Sequence, residues 1–358
     1  MKNLKLFKCS QTIFINQYKY TFQIGDTMEL EIFSDETYIL NKKYIGIACL
    51  FVPTSFKEKL VNKLLDYRCL NDNNTSNWQI NKDSCKLFND NQCNPKYHIN
   101  NDCEIHYAKF RKGMSNSRKI ISTRWIDFHE NNNKSSPENE RIYFNILFLD
   151  LEKLDSKFFG EDKTGNNIYN RFYKTAIIGP IKYFFKKYNN VSIKEIFHDN
   201  ADDKKVHDYF YWHTPLTLDS EHNIIVKNKE ITFIDSNHKK YEPYCENYKN
   251  ATLVQFIDLI LGCTSHAIFR ESEDNEKMIL YEKYYPLISR LWKHPNNKNS
   301  EFNYFKSQQV SIFPKEKISY YMDLLGNVQR KHGEFHRDVK LVEPISSNSR
   351  SLDDYIKF

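Results

Sequence analysis

The chain has 358 residues, of which 40% are hydrophobic (the aromatic 15% included), so it can bury a core as one large domain with insertions or as two ordinary domains. The net charge of +6 is a mild basic bias that only weakly favours a polyanionic partner. We find neither an apolar run of 18 residues nor an apolar stretch after the N-terminal lysines, which predicts a soluble cytoplasmic protein with no membrane span and no signal peptide.

The eight cysteines include no Cys-x-x-Cys pair, which fits a reduced, intracellular protein. Cys85, Cys93 and Cys103 lie with His98 and His106 within 22 residues. Their spacing matches no standard zinc finger or ribbon, so free cysteines in a loop are favoured, with a zinc site as the alternative.

Apolar strands and helices are predicted in chain order from hydrophobic periodicity. Strands are predicted at 29–34, 44–52, 141–151, 191–198 and 230–235, and helices from about 53, then at 115–130, 166–188, 203–212, 250–268, 277–292 and 316–330. This order predicts an α/β fold with a mixed five-stranded sheet flanked by helices.

The predicted strands and helices divide the chain into a core and its additions. Residues 1–27 form an N-terminal extension with a hairpin or an edge strand. Residues 28–294 form the core, interrupted by a polar, Asn-rich insertion at about 69–103. Residues 295–358 form a C-terminal extension, which we expect to be helical.

The helix over 250–268 carries one acid, Asp258, where its pattern calls for a hydrophobic residue. An acid on the apolar side of a helix costs several kcal/mol unless it is paired or bound to a cation. Asp258 is therefore the strongest single candidate for a functional residue. The alternative is an error in the helical pattern that leaves Asp258 facing solvent.

Further acids follow the predicted strands: Asp35 after the first, Asp199 after the fourth and Asp235 after the fifth, while Glu104 opens the segment after the insertion. Ligands gather at strand ends in such sheets, so these acids and Asp258 are predicted to converge. Their repulsion calls for a cation or for raised pKa values. Two divalent ions about 3.5–4 Å apart would suit them and would activate water for attack on a phosphodiester.

Two of these acids also have structural interpretations that stay open. Asp199 is equally suited to cap the next helix, and Asp235 to close a turn at the end of its strand. Glu36 is expected on the opposite face of the strand from Asp35, as a supporting acid. Lys239 and Lys240 are candidates for contacting a phosphate, although a solvated loop is the favoured interpretation.

Several of these residues occur in motifs that resemble the bacterial family known as domain of unknown function 3800, within the ribonuclease-H-like superfamily. The resemblance spans about residues 28–270 and is carried by Ser34-Asp35-Glu36-Thr37, Glu104-Ile105-His106, Asp235-Ser236 and Gln255-Phe256-Ile257-Asp258-Leu259-Ile260-Leu261-Gly262. The last motif is the most specific. Thr37-Tyr38 stands where the family usually has Ser-Gly, so a glycine turn is lost while the carboxylates match.

The resemblance implies a ribonuclease-H-like core and a catalytic set of acids. Asp35, Asp199 and Asp258 would be the primary metal ligands, Asp235 a further ligand, and Glu104 would complete or flank the catalytic site. Mg²⁺ or Mn²⁺ is the expected cofactor, since the ligands are all oxygen.

The sequence therefore predicts a metal-dependent nuclease that hydrolyses DNA or RNA by a two-metal carboxylate mechanism. The alternative is a non-catalytic protein that binds nucleic acid or a protein partner, as a sensor or effector in a bacterial defence or toxin system. A protein partner or a homodimer stays open in both cases.

Overall fold

The computed structural model describes residues 12–15, 18–21, 27–39, 43–68, 103–154, 165–200, 210–222, 224–270, 272–293, 304–314, 316–322 and 328–335. Within them the strands are β1 (Thr12–Ile15), β2 (Tyr18–Thr21), β3 (Thr27–Ile39), β4 (Tyr44–Pro53), β5 (Tyr143–Asp150), β6 (Asn190–Asp199), β7 (Ile225–Val226), β8 (Ile231–Ile234), β9 (Gln308–Phe313), β10 (Glu316–Met322) and β11 (Val328–Phe335). The helices are α1 (Thr54–Asp66), α2 (Asn116–Ser135), α3 (Gly165–Phe184), α4 (Phe210–His222), α5 (Glu246–Phe269), α6 (Asn275–Lys293) and α7 (Tyr304–Ser307).

Seven of the described strands form one mixed sheet, in the order β7-β6-β3-β4-β5-β9, with β8 pairing on β6 beside β7. β3, β4 and β5 form an antiparallel meander. β6 then pairs parallel to β3, and β7 and β8 pair parallel to β6. The α/β class predicted from the sequence is confirmed in this general form.

The sheet is covered by helices on both faces, which is why its central strands read as nearly continuous apolar runs. Every residue of β5 is buried, as are all residues of β4 after its first. On one face α1, α2, α5 and α6 pack over alternate residues such as Phe33, Ala48 and Leu50. On the other face α3 packs over the intervening residues, including Ile32 and Ile47.

Helix α5 lies against β3 and β4 and is the central helix of its layer. Its length and hydropathy would allow it to cross a membrane, but 94% of its most apolar window is buried inside the fold. A core helix of a soluble protein has this character, and the structure is consistent with a soluble protein.

The predicted sheet and C-terminal extension need correction. The sheet has seven described strands instead of five, because β7 and β9 were not predicted. The predicted helical C-terminal extension is wrong for its described part, where β9, β10 and β11 are strands and only the four-residue α7 is helical. In β9, the alternating apolar residues Val310 and Ile312 suit a strand. The backbone of β9 is hydrogen-bonded to β5, a distant partner that the local sequence does not reveal.

The outer elements were predicted with mixed success. The hairpin expected in the N-terminal extension is present as the antiparallel pair β1–β2. The helix expected over 203–212 falls mostly outside the described residues, and the described helix there is α4.

Candidate functional site

Asp35 and Asp199 lie side by side on two neighbouring parallel strands. β3 and β6 pair in one continuous register from Glu31 and Glu195 to Ser34 and His198, so the next residue on each strand is one of the two acids. Two residues earlier on the same face, Phe33 and Phe197 stack with their ring centroids 4.9 Å apart. Because parallel neighbours in register point to the same face, the two carboxylates share one small region of the sheet. β3 continues to Ile39, so Asp35 lies within its strand and not at the end as predicted.

Asp258 joins this pair from α5, which crosses β3 on the same face. The residue is buried in the fold, at 8% exposure, and its neighbours along the helix, Ile257 and Leu259, are fully buried. Its Oδ2 accepts hydrogen bonds from His106 Nδ1 at 2.9 Å and from the Tyr107 backbone N–H at 2.7 Å. The prediction that Asp258 faces the core is confirmed, and the solvent-facing alternative is wrong.

Each of the three acids uses a single oxygen for its hydrogen bonds within the described part of the chain. Asp35 Oδ1 accepts from the Glu36 N–H at 2.8 Å. Asp199 Oδ1 accepts from the N–H groups of Asn200 and Ser236, at 2.9 and 3.0 Å. Asp258 uses Oδ2 alone. Backbone N–H groups, one each for Asp35 and Asp258 and two for Asp199, orient the carboxylates, and in the described part of the chain the second oxygen of each has no such donor.

The electrostatics of the three acids are those of an unneutralised cluster. Burial raises the pKa of Asp35 well above its usual value, and the negative charges of Asp258, Asp199 and Glu36 raise it further. Burial and the charge of Asp258 also raise the pKa of Asp199, against the lowering effect of His198. Conversely, the hydrogen bond and negative charge of Asp258 raise the pKa of His106. The cluster therefore favours bound protons or a bound cation.

As it stands, the cluster is a group of repelling acids and not a closed metal cage. Among the residues that the structure describes, no three His, Cys, Asp or Glu side chains are arranged to hold one ion together. The donors are nonetheless all oxygen, as Mg²⁺ and Mn²⁺ require. In chemistry and charge the residues present fit such a cation, which would draw the carboxylates together.

Glu104 borders the cluster, whereas Asp235 makes its contacts elsewhere. The Glu104 carboxylate pairs with Lys109, and its negative charge acts on the pKa of His106. The Asp235 carboxylate accepts from the Asn237 N–H at 2.8 Å and pairs with Lys240. This is the strand-ending turn given above as its structural interpretation, so a metal-binding role for Asp235 remains a prediction.

The prediction for Glu36 is confirmed in its position, whereas the alternative zinc site falls mostly outside the described residues. Glu36 lies on the opposite face of β3, as predicted, with its Oε2 3.4 Å from Nε2 of the buried His198. Of the proposed zinc ligands, Cys85, Cys93 and His98 lie outside the described residues. Cys103 is a free thiol, and His106 contacts Asp258 instead.

Gln255 is the residue whose importance the sequence did not convey beyond its place in a motif. It is fully buried one turn before Asp258, and both ends of its amide are engaged. Its Oε1 accepts from Arg68 at 2.6 Å and from the Ile105 N–H at 3.0 Å. Its Nε2 donates to the Ser236 carbonyl at 2.5 Å and lies 2.7 Å from Nδ1 of His238. Gln255 thus joins the segments around Glu104 and Asp235 to α5.

Gly262 completes the same face of α5 by making room for Tyr107. A Cβ atom at Gly262 would lie 2.0 Å from Cγ of the Tyr107 ring, far inside van der Waals contact. Residues 255, 258 and 262 recur at helical spacing, and all three hold the 105–107 segment. The motif that carries the sequence resemblance therefore has a physical basis as one docking face for that segment.

Comparisons with known proteins add no assignment: no protein-family model matches the chain, and no curated protein matches it. The resemblance to the bacterial family remains a prediction that depends on the motifs alone. Any functional conclusion must come from the geometry of the three acids.

Proposed function

We propose that this protein is a metal-dependent nuclease that hydrolyses phosphodiester bonds of DNA or RNA. Asp35, Asp199 and Asp258 would hold Mg²⁺ or Mn²⁺, with Glu104 at the border of the site. The observation that carries the proposal is the convergence of these three acids, from two adjacent strands and the central helix, without a neutralising lysine or arginine among their described contacts.

The topology of the sheet supports a ribonuclease-H-like core within this proposal. Such a core has an antiparallel three-stranded meander, followed by two strands added in parallel beside the first. β3, β4 and β5 form a meander of this kind, and β6 and β8 follow in parallel. The paired acids then lie on the first and fourth strands of that core. Fold alone does not fix function, so the acids carry more weight than the topology.

The residues of the chain have distinct tasks in this proposal. Asp35, Asp199 and Asp258 each offer one carboxylate oxygen to the cation while the other oxygen is held by the backbone or by His106. When bound, the cation would supply a water activated for attack and would neutralise charge on the scissile phosphate. Fixing each carboxylate through one oxygen limits the rearrangement needed on binding.

Basic residues near the acids are suited to hold the phosphate backbone of a substrate. Lys109 pairs with Glu104 at the border of the cluster, Lys240 pairs with Asp235, and both lysines reach solvent. Arg111, Lys112 and Lys239 are exposed on the same two segments. Contacts of this kind fix the position of a nucleic acid without reading its sequence.

Cleavage of labelled single- and double-stranded DNA and RNA, with Mn²⁺, Mg²⁺ or EDTA, tests the proposal. We expect metal-dependent cutting that Asp258→Asn reduces at least about 100-fold, because a ligand of the cation is lost. Asp127→Asn is the matched control, since Asp127 pairs with Lys283 on another surface. It should retain the wild-type rate.

A second readout separates binding from catalysis. Mn²⁺ should raise the melting temperature of the wild type and leave that of Asp258→Asn nearly unchanged. Absence of cutting on all four substrates, together with no rise in melting temperature, would refute the nuclease. The non-catalytic binding protein would then be the better interpretation.

A further inference from the structure

We propose that Gln255 is a positioning residue that sets the separation of Asp199 and Asp258 and thereby the affinity of the site for its cation. The inference depends on the proposed function, because it assumes that these acids bind a divalent ion. It concerns the buried amide of Gln255, which contacts neither carboxylate directly.

Two chains of hydrogen bonds, which we call arms, start at the Gln255 amide. The first arm leads to Asp199 through Ser236. The Gln255 Nε2 donates to the Ser236 carbonyl at 2.5 Å, and the Ser236 N–H donates to Asp199 Oδ1 at 3.0 Å. The same residue is therefore held by Gln255 on one side and holds the acid on the other. A shift of the Ser236 backbone would move a hydrogen-bond donor of Asp199.

The other arm leads to Asp258 through the 105–107 segment. Gln255 Oε1 accepts the Ile105 N–H at 3.0 Å, and the next two residues, His106 and Tyr107, both donate to Asp258 Oδ2. Gln255 and Asp258 lie on the same helix, so hydrogen bonds fix the segment to α5 at two points, in addition to the packing of Tyr107 on Gly262. Losing one of them would allow the donors to move away from the carboxylate.

Arg68 fixes which end of the Gln255 amide faces Ser236. Its guanidinium donates to Gln255 Oε1 at 2.6 Å and to the Cys103 carbonyl at 2.7 Å. A positive charge on the Oε1 side selects the amide orientation that presents Nε2 to Ser236. The Gln255 side chain is fully buried, and a hydrogen bond is electrostatically stronger in the low dielectric of the interior than in water.

Gln255→Met is the first variant to test, because methionine keeps the length and volume of the side chain but removes both arms. We expect the Mn²⁺ dissociation constant, measured by titration with electron paramagnetic resonance, to rise about 10–100-fold, as is typical for residues that orient metal ligands. Excess Mn²⁺ should restore most of the cleavage rate, and the KM for nucleic acid at saturating Mn²⁺ should stay at the wild-type value.

Gln255→Glu is the second variant, and it separates the two arms. Glutamate still accepts from Arg68 and Ile105, but it offers a second oxygen to the Ser236 carbonyl in place of a donor. Amide hydrogen exchange of the metal-free protein should then speed up in the segment around Ser236 and stay slow around Ile105. This readout needs neither metal nor activity, so it remains informative if Gln255→Met does not fold.

Thr264→Val is the control on the same helix. Thr264 is buried and its hydroxyl bonds the Ile260 carbonyl at 2.7 Å, within the helix. It should lose some stability without a change in Mn²⁺ affinity.

The possible outcomes separate this inference from the proposed function. A wild type that binds no Mn²⁺ and cuts nothing refutes the proposed function and, with it, this inference. A wild type that binds Mn²⁺, with Gln255→Met binding it equally well, refutes the inference alone. Equal hydrogen exchange at the Ser236 and Ile105 segments in Gln255→Glu also refutes it.

Discussion

Glu31 and Asp35 lie four residues apart on the same face of β3, and both are buried, yet their surroundings are opposite. Glu31 is held by two lysines, with Lys57 Nζ at 2.5 Å from its Oε2 and Lys194 Nζ at 2.7 Å from its Oε1. Asp35 meets other acids instead, and its pKa is raised well above its usual value. We call the first the paired end of the face and the second the acid end.

The difference shows that a buried carboxylate can be paired with cations inside the fold or left beside other acids. At the paired end, Lys57 also contacts Glu246 at 2.5 Å and lies over the rings of Phe33 and Phe197, so each buried charge has a charged partner of opposite sign. At the acid end, ionisation is opposed by burial and by repulsion. The fold loses stability there unless a proton or a cation binds, and such a cost is typical of a site kept for a ligand.

Lys57→Met tests the paired end and has the largest expected effect. It leaves Glu31 buried with one lysine instead of two, and we expect a loss of about 3 kcal/mol in the free energy of unfolding by urea. Lys59→Met on the same helix is the control, because Lys59 pairs with Glu140 in contact with solvent and should cost less than about 0.5 kcal/mol. Similar losses in the two variants would show that the paired end is not held by its charges.

Gly262→Ala tests the close packing of the Tyr107 ring against α5, beside the acid end. The added methyl group overlaps the ring, so we expect a loss of about 2 kcal/mol together with weaker Mn²⁺ binding, since the Tyr107 N–H bonds Asp258. Gly179→Ala in α3 is the control. Outside its chain neighbours and its own helix, nothing lies within 4 Å of its Cβ position, so the added methyl group overlaps no other element and the change should alter stability by less than about 1 kcal/mol. A stable Gly262→Ala variant would contradict the close approach.

His129 offers a third way to bury an ionisable group, by keeping it neutral. Burial lowers its pKa to about 3, and its ring bonds Tyr284 and Gln308. The unfolded chain therefore binds a proton that the folded chain excludes, and this contribution to stability falls as the pH drops from about 6.5 towards 3. We expect a loss of about 1.4 kcal/mol per pH unit over this range.

His129→Gln should remove that slope, measured by urea unfolding at pH 7, 6 and 5. The comparison with wild type is needed because the raised pKa values of Asp35 and Asp199 act in the opposite direction, favouring the folded state as the pH falls. An unchanged slope in His129→Gln would mean that His129 is protonated in the fold.

Asp35→Asn gives the smallest expected effect but the clearest contrast in sign. In EDTA it should stabilise the protein by about 1 kcal/mol, because it removes a buried charge that its neighbours repel. Glu31→Gln should do the reverse, because it leaves Lys57 without a buried partner. Mn²⁺ should raise the melting temperature of proteins whose acid end is intact and should leave that of Asp35→Asn unchanged. Destabilisation by Asp35→Asn in EDTA would argue that the acid end is already neutralised within the fold.

Local pattern predicted much of this arrangement. Apolar runs located β3 to β6 and β8 within a few residues, and the misplaced polarity of Asp258 singled out a residue that the structure buries beside two other acids. Strand β9 was missed because it depends on pairing with β5, more than 150 residues earlier in the chain. Asp235 was grouped with the other acids because it ends a strand, and only its contacts with Asn237 and Lys240 distinguish it.

The sequence by itself determined the α/β class, the elements that carry the acids and the motif on α5, because these depend on hydrophobic period and residue type along short stretches. The tertiary structure alone decided which acids are paired. Glu31 and Lys194 are 163 residues apart in sequence, and Gln255 and Ile105 are 150 apart. The free energy of a buried charge depends on the few atoms around it, and only the folded chain brings those atoms together.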